Sequence, residues 1–341
     1  MQFDHLVFIG RFEPFHHGHR AVIERALTLA ERVIVLVGSA NKPRTHRNPW
    51  NAHEREVMIR ESFPESRDRI LIHPLRDHLY NETQWVTDVQ RIVHTASGGS
   101  QKIGLIGYSK DRTSYYLKSF PQWKLVEAPN VEGVSATELR HSLFLMDEDP
   151  GQRLLLKAAL PAPVFDMLMA FRTRPQFDQL RREFAFIRDY RKGWERAPYP
   201  PTFVTVDAVV VHSGHVLLVK RKAEPGKGLL ALPGGFLNPD ETIQDAAIRE
   251  LKEETRIKLP EPVLRGSIRG AHVFDHPERS QRGRTITHAF HFDFPTGELP
   301  PVRGADDAEK AHWYPTSEAL ELEESFFEDH YHIVEHFLRT V

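Results

Sequence analysis

Short apolar runs recur along the first 145 residues, with helix-patterned stretches between them. Leu6-Val7-Phe8-Ile9 reads as a buried strand that turns at Gly10 and leads into a helix over about Gly18 to Ala30. Val33 to Val37 is a second strand, stopped by Gly38-Ser39. Ile70-Leu71-Ile72 and Ile103 to Ile106 predict two more, with a helix over Gln84 to Thr95 between them. Lys124-Leu125-Val126 is a weaker strand, and Ala136 to Phe144 should be helical. Strand and helix alternating in this way predict a parallel, doubly wound sheet over residues 1–145.

The pattern then changes. From Gln152 to Arg191 it is helical, broken at Pro161, Pro163 and Pro175, and Pro198-Tyr199-Pro200-Pro201 is the strongest punctuation in the chain. Beyond it, Phe203 to Val211 and His215 to Lys220 predict a hairpin around Ser213-Gly214, followed by a helix and by strands near 286–294. The expected organisation is a first domain over 1–172, a helical connector over 173–197 and a second domain over 198–341.

One helix in the second half violates ordinary patterning. At about 100° per residue, Glu250 and Glu254 fall within about 20° of the direction set by Ile243, with Ala247 and Leu251 on the same side. An amphipathic helix turns an apolar stripe inward and keeps carboxylates outside. Here Glu250, Glu253 and Glu254 sit on or beside that stripe, where clustered carboxylates repel one another and need a counter-charge. Hard divalent cations with oxygen ligands answer that need, and Mg²⁺ commonly keeps a partner phosphate too. The bland reading is a solvated acidic helix end.

Composition removes several other classes. Lysine plus arginine is 45 against 47 aspartate plus glutamate, a formal charge of −2, which argues against a general nucleic-acid binder. Cysteine is absent, so neither disulfides nor thiolate chemistry is expected. No apolar run approaches the roughly 20 residues that span a bilayer, and the opening MQFDHLVFIGRFEP has no signal-peptide pattern. A soluble cytoplasmic protein without membrane or nucleic-acid partners is expected. Histidine is plentiful at 20, yet no His-Glu-x-x-His spacing occurs.

The acidic helix belongs to a longer pattern: Gly235, five residues, Glu241, seven residues, then Arg249-Glu250-Leu251-Lys252-Glu253-Glu254. It resembles the Nudix box of Mg²⁺-dependent pyrophosphate hydrolases. The resemblance implies a Nudix α/β/α sandwich domain, metal held by Gly235, Glu250, Glu253 and Glu254, and catalytic roles for Arg249, Glu253 and Glu254, with Mn²⁺ as an alternative ion. Glu241 would complete the outer shell. Arg249 reads either as a bidentate orienter of a glutamate or as a surface salt bridge. The general base is open between a box glutamate and Asp306 or Asp307. Arg256 stands where most members of the family carry glycine; an arginine there costs about 1 kcal/mol if the backbone needs positive φ.

In the first half, Gly10-Arg11-Phe12-Glu13-Pro14-Phe15-His16-His17-Gly18-His19 lies at the strand-to-helix junction where open parallel sheets bind phosphate. Val134-Ser135-Ala136-Thr137-Glu138-Leu139-Arg140 makes Ser135 an expected N-cap with Arg140 in the helix after it. Together they resemble the His-x-Gly-His and Ser-x-Thr-x-x-Arg motifs of the nucleotidyltransferase superfamily. That likeness implies a Rossmann-like nucleotidyltransferase domain in which His16 and His19 contact ATP phosphates and Arg140 stabilises the leaving pyrophosphate. Gly10, Arg11, Phe12, Ser135 and Thr137 would support the substrates.

Arg47 to Arg55, Asn81 to Val86 and Gly107 to Tyr116 further resemble nicotinamide mononucleotide adenylyltransferases. By that likeness Arg11 and Arg47 hold phosphate and Trp85 stacks on the pyridine ring; a core aromatic is the alternative for Trp85. Lys110, Asp111 and Arg112 are substrate candidates or a solvated charge run. The order of motifs resembles bifunctional NAD-metabolism enzymes, with ATP, nicotinamide mononucleotide, NAD and ADP-ribose as expected ligands. Arg279, Arg282 and Arg284 either meet the ADP-ribose diphosphate or form a solvated basic loop. A non-hydrolysing sensor domain, another nucleoside diphosphate, nicotinic acid mononucleotide and a homo-oligomer all remain open.

Overall fold

The computed structural model describes residues 1–107, 118–128, 135–294, 296–304 and 308–339. Two compact units emerge, Met1–Arg181 and Arg182–Val341.

The first unit runs β1 (Phe3–Gly10), α1 (His17–Leu29), β2 (Ala30–Val37), α2 (Ala52–Glu61), β3 (Ile70–Pro74), α3 (Glu82–Ala96), β4 (Ile103–Gly107), β5 (Lys124–Glu127), α4 (Ala136–Leu145), α5 (Gly151–Ala159) and α6 (Ala162–Phe171). Helix α7 (Pro175–Lys192) contains the division between the units. Strand order is β3-β2-β1-β4-β5, parallel throughout, as the uninterrupted apolar runs imply. Val7, Ile9, Ile34, Leu36 and Leu105 form one face of the core with Val89 and Val93 of α3. The chain winds outward from β1 to β3 and then returns to β4 beside β1, so the end of β1 lies at the topological switch point. Helix α2, which the apolar pattern does not reveal, starts with a capping box: Glu54 N–H donates to Asn51 Oδ1 (2.8 Å), and Asn51 N–H to Glu54 Oε2 (3.0 Å).

The second unit continues with β6 (Thr202–His212), β7 (His215–Arg221), β8 (Leu230–Ala231), β9 (Gly234–Phe236), α8 (Ile243–Thr255), α9 (Glu261–Gly266), β10 (Ile268–Phe274), β11 (Arg284–Asp293), β12 (Ala308–Pro315), α10 (Thr316–Ala319) and α11 (His330–Arg339). Its sheet has the order β10-β11-β6-β7-β12, with β11 and β6 parallel, β8 on β7 and β9 on β6. The hairpin turns through Ser213 (φ 46°) and Gly214 (φ 72°), the two positive values a two-residue turn requires. Val206, Ala208, Val210 and Leu217 pack with Ala246, Ala247 and Leu251 of α8. Val209, Val216 and Leu218 point the other way, onto Ile333, Val334 and Phe337 of α11. The sheet is therefore covered on both faces, an α/β/α sandwich. Among the described residues no helix is long and apolar enough to cross a membrane.

Candidate active sites

The turn after β1 carries the first site. His16 is the N-cap of α1, and its Nδ1 accepts the Gly18 N–H at 3.1 Å. In the neutral ring the remaining proton must then sit on Nε2, which leaves that nitrogen as a donor. His19 follows one turn on, its ring stacked on His16 with centroids 3.7 Å apart. Burial, with His16 nearby, holds the His19 pKa well below the ordinary histidine value, so His19 is neutral. Phe12 adopts φ 56° and is buried against Phe8, Phe15 and His19, so its backbone rather than its ring is available to a ligand. Gly10 is required beneath it, because a Cβ there would come within 2.9 Å of that ring.

Arg140 is buried and donates from Nη1 to the Glu13 carbonyl (2.5 Å) and from Nη2 to Thr137 Oγ1 (3.2 Å). Burial, then the positive charges of Arg11 and Arg47, lowers its pKa to about 10. These three guanidiniums therefore share one electrostatic neighbourhood, a setting that favours a multivalent anion. Ser135 occupies the N-cap position of α4, but its hydroxyl makes no capping bond, so the expected cap holds in place and not in chemistry. Trp85 is partly buried, packs on the core face and lies 6.0 Å from the Phe120 ring, so one flank of its indole is core. Lys110, Asp111 and Arg112 lie outside the described residues.

Sequence reasoning assigned no role to Glu13 and Arg55, which underpin this site. Both side chains are 1% exposed, and Arg55 Nε lies 3.2 Å from Glu13 Oε1. Arg55 also donates to the carbonyls of Arg11 (2.7 Å), Gly38 (2.6 Å), Ser39 (3.1 Å) and Asn51 (3.2 Å). It thereby ties the turn after β1 to the end of β2 and the start of α2. Burial pushes the Glu13 carboxyl up to about 8, against the pull of Arg55 and Arg140.

The second site lies between α8 and β9. Arg249 makes a bidentate contact with Glu241 through Nε (2.9 Å) and Nη2 (2.7 Å), and its Nη1 bridges Glu250 and Glu253, each at 2.8 Å. It is an organiser of the carboxylates rather than a lone surface pair. Arg249 hydrogen bonds hold the Glu241 carboxyl down to about 2. Glu254 points the other way and accepts the Gly234 N–H at 3.1 Å. Burial pushes its carboxyl up to about 8, eased by that N–H and reinforced by Glu250. Burial also raises Glu250, whose side chain is 13% exposed against 46% for Glu253. A Cβ at Gly235 would stand 2.4 Å from Glu250 Oε1, so only glycine admits that carboxylate. Arg256 closes α8 at φ 50°, the left-handed cap in which the family's glycine is favoured.

The basic loop before β11 divides. Arg279 is 4% exposed and pairs through two 2.9 Å bonds with Asp329, so its reading as a diphosphate contact or solvated charge is corrected: it is a buried structural ion pair. Arg284 donates to the Asp275 carbonyl at the surface. Asp306 and Asp307 lie outside the described residues.

A cytidylyltransferase-like family model matches residues 7–142, and a NUDIX domain model matches residues 201–337. The nicotinamide/nicotinic acid mononucleotide adenylyltransferase of Acinetobacter baylyi is 36% identical over 185 residues, 54% of this chain and 94% of the relative. The ADP-ribose pyrophosphatase of Methanocaldococcus jannaschii is 36% identical over 136 residues, 40% of this chain and 73% of the relative. A crystal structure of the bifunctional NMN adenylyltransferase/ADP ribose pyrophosphatase from Francisella tularensis, complexed with AMP and Mn ion, matches 99% of both chains at 36% identity and TM-score 0.90. The chain belongs to this bifunctional family.

In the Nudix unit the donor set fits a divalent cation. Glu250 and Glu254 are oxygen donors raised by burial, and Arg249 is shared among Glu241, Glu250 and Glu253, with no bond to Glu254 among the described residues. A hard cation beside them would remove the cost of ionising two crowded carboxyls. In the transferase unit the charge is opposite in sign: Arg11 and Arg47 act on the buried Arg140, a setting that favours an anion.

Proposed function

We propose that the transferase unit moves AMP from ATP to nicotinamide mononucleotide, giving NAD and pyrophosphate, and that the Nudix unit hydrolyses ADP-ribose to AMP and ribose 5-phosphate. One observation carries this reading: both charge-complementary sites occur in a chain that matches a relative named for both activities along 99% of its length.

In the transferase the attacking group is the mononucleotide's own phosphate oxygen, already anionic near neutrality. A new bond forms to the α-phosphorus as the α–β bridging bond breaks, and pyrophosphate leaves with the electron pair. No protein nucleophile is required, so the side chains position and stabilise. His16 Nε2–H and neutral His19 donate to phosphate oxygens, while Arg11, Arg47 and Arg140 take the charge of the departing pyrophosphate. Gly10, the Phe12 backbone, Ser135 and Thr137 shape the turn, Trp85 offers a face to the pyridine ring, and Lys110, Asp111 and Arg112 remain substrate candidates.

In the Nudix unit, Glu250, Glu253, Glu254 and the Gly235 carbonyl present oxygens, and Arg249 holds the first two of those carboxylates in register. These residues would hold a divalent cation, which would supply Lewis-acid polarisation of the diphosphate and an activated water; we assign Mg²⁺, with Mn²⁺ as a substitute. A box glutamate or Asp306 or Asp307 accepts the water's proton. All box carboxylates are present, which does not favour a non-hydrolysing sensor. The domain limits proposed are 1–172 and 198–341 with the helical segment 173–197 between them, in a cytoplasmic enzyme.

The name of the Acinetobacter relative covers both pyridine mononucleotides, which favours nicotinic acid mononucleotide as a second acceptor. The test is a panel: purified full-length protein with Mg²⁺, ATP and each mononucleotide, then ADP-ribose, NAD and other nucleoside diphosphate derivatives. NAD synthesis and preferential ADP-ribose cleavage are expected. Faster cleavage of NAD than of ADP-ribose, or no adenylyl transfer to either mononucleotide, would overturn the assignment.

A further inference from the structure

Next to the Nudix carboxylates is a group of flat side chains that the hydrolytic chemistry does not use. Phe236 directly follows Gly235, is 38% exposed, and packs edge-on against Phe203 with ring centroids 5.8 Å apart. Trp194, 43% exposed, lies 5.4 Å from Phe203 on its other side. The Arg282 guanidinium sits over the Phe236 ring, 5.0 Å from its centroid. A Cβ at Gly283 would approach Phe203 to 2.9 Å, so a glycine there is what lets the loop lie against this ring.

Arg282 differs from its neighbours in having donors to spare. Its side chain is 16% exposed, no acceptor reaches its buried Nε among the described residues, and its nearest carboxylate, Glu328, stands 3.9 Å away. The rest of the loop is fixed. Arg279 is locked on Asp329, Ser280 Oγ donates to Glu328 Oε1 at 2.8 Å, and Arg191 donates twice to the Gln281 carbonyl, at 3.0 and 2.6 Å. A rigid loop thus holds one under-satisfied, planar cation over an exposed phenyl ring. Core packing would have hidden the rings, and a surface salt bridge would have satisfied the guanidinium.

We propose that Phe236 and Arg282, backed by Phe203 and Trp194, form the subsite for the planar base of the nucleoside diphosphate. The inference rests on the hydrolase reading above. A π-face is what an aromatic ring and a guanidinium plane both recognise, so the base is held by its faces rather than by a hydrogen bond to the buried Nε. Continuity with the catalytic site supports this occupant: the Phe236 carbonyl accepts from Arg249 Nη2 at 3.2 Å, so the residue carrying the ring is tied to the organiser of the carboxylates. Gly235 and Phe236 face opposite ways on β9, which pairs with β6 along one edge. A substrate lying along the other edge reaches the carboxylates with its diphosphate and the ring with its base.

The experiment uses the full chain with Mg²⁺ and separates the two ends of the substrate. Hydrolysis of ADP-ribose is followed for the wild type, Phe236→Ala, Arg282→Ala and Arg282→Lys, with AMP and ribose 5-phosphate as competing products. Melting temperatures identify variants that remain folded, and Arg282→Lys keeps the charge while losing the plane. The expected result is a rise of about tenfold in KM and in the AMP inhibition constant for Phe236→Ala and Arg282→Ala. Ribose 5-phosphate inhibition should stay within about twofold, kcat within about threefold, and Arg282→Lys should resemble Arg282→Ala. Equal weakening of both products, weakening of ribose 5-phosphate alone, or no change in folded variants overturns the proposal. If the wild type leaves ADP-ribose intact, it is the hydrolase reading that fails. The subsite is then decided by AMP quenching of tryptophan fluorescence: loss of quenching in Trp194→Phe supports it, and absent or unchanged quenching overturns it.

Discussion

Glu13 in the transferase unit and Glu254 in the Nudix unit are both carboxyls that burial pushes up to about 8, yet their surroundings differ. Glu13 has a cation of its own, Arg55, as deeply buried as itself and spent on four backbone carbonyls as well. Glu254 has one backbone N–H and the charge of Arg221, set against the adverse charges of Glu250 and Asp207. The first has its counter-charge in direct contact within the protein and stabilises a turn. The second has a favourable charge nearby but no ion-pair contact among the described residues. A perturbed carboxyl therefore points to function when no direct ion pair offsets it, and to architecture when one does.

The largest effects follow from that distinction. Glu254→Gln removes a charge the cation needs, so ADP-ribose hydrolysis should fall about 10²–10³-fold while adenylyl transfer stays within about twofold. His19→Ala should do the reverse. Assays of both activities on each variant decide; parallel loss of both in folded protein would sink the independence of the two sites. Arg55→Ala leaves four backbone carbonyls without their donor and should destabilise the transferase unit by about 3–5 kcal/mol, lowering its calorimetric transition by about 10 °C. A transition that did not move would mean the pair is not the support described.

The same carboxyl sets a pH dependence whose sign is fixed. With its folded pKa raised from 4.5 to about 8, Glu13 binds a proton in the folded state that the unfolded chain has released. Its contribution is full below the unfolded value and is lost as pH rises through about 8. The stability difference between wild type and Glu13→Gln, from urea melts, should shrink between about pH 5 and pH 8.5. A difference that stayed level or grew would show that Arg55 keeps the group ionised throughout.

What could be read in the sequence were features carried by neighbours in the chain. Unbroken apolar runs mark β1 to β4, and the spacing from Gly235 to Glu254 by itself puts the acidic side chains together. Glu13 and Arg55 lay inside recognised stretches but drew no attention, because their meaning depends on burial created by β1, β2 and α2 meeting. Arg279 looked like loop charge for the same reason: its partner, Asp329, is 50 residues away. Strands as short as β8 and β9 have no period to detect. The role of Arg282 needed its place over the Phe236 ring to be seen.

A more modest effect concerns Trp85, one flank of which packs on the core. If the other meets the pyridine ring, Trp85→Ala should weaken use of the mononucleotide about fivefold, the worth of one stacked aromatic contact, with ATP affected less. Paired titrations separate the cases. Equal loss for both substrates would return Trp85 to the core alone.

The smallest expected effect lies at the end of the box helix, where architecture and chemistry adjoin. Arg256 holds φ 50° and ψ 29°, a region in which a Cβ is crowded, and its backbone N–H still donates to the Lys252 carbonyl to close the last turn. Its side chain is exposed, so little packing is lost on replacement. Arg256→Gly relieves the crowding at the cost of a more flexible unfolded chain, and the net gain should be about 0.5–1 kcal/mol. On a unit of this size that is a rise of about 2–4 °C in the Nudix transition. Glu254, two residues earlier, keeps its hydrogen bond to Gly234, so hydrolysis should remain within about twofold of wild type. Unchanged or lowered stability would mean the left-handed cap carries no strain here. A stable variant with a raised KM for ADP-ribose would show instead that the arginine at this position is retained for its charge toward the substrate.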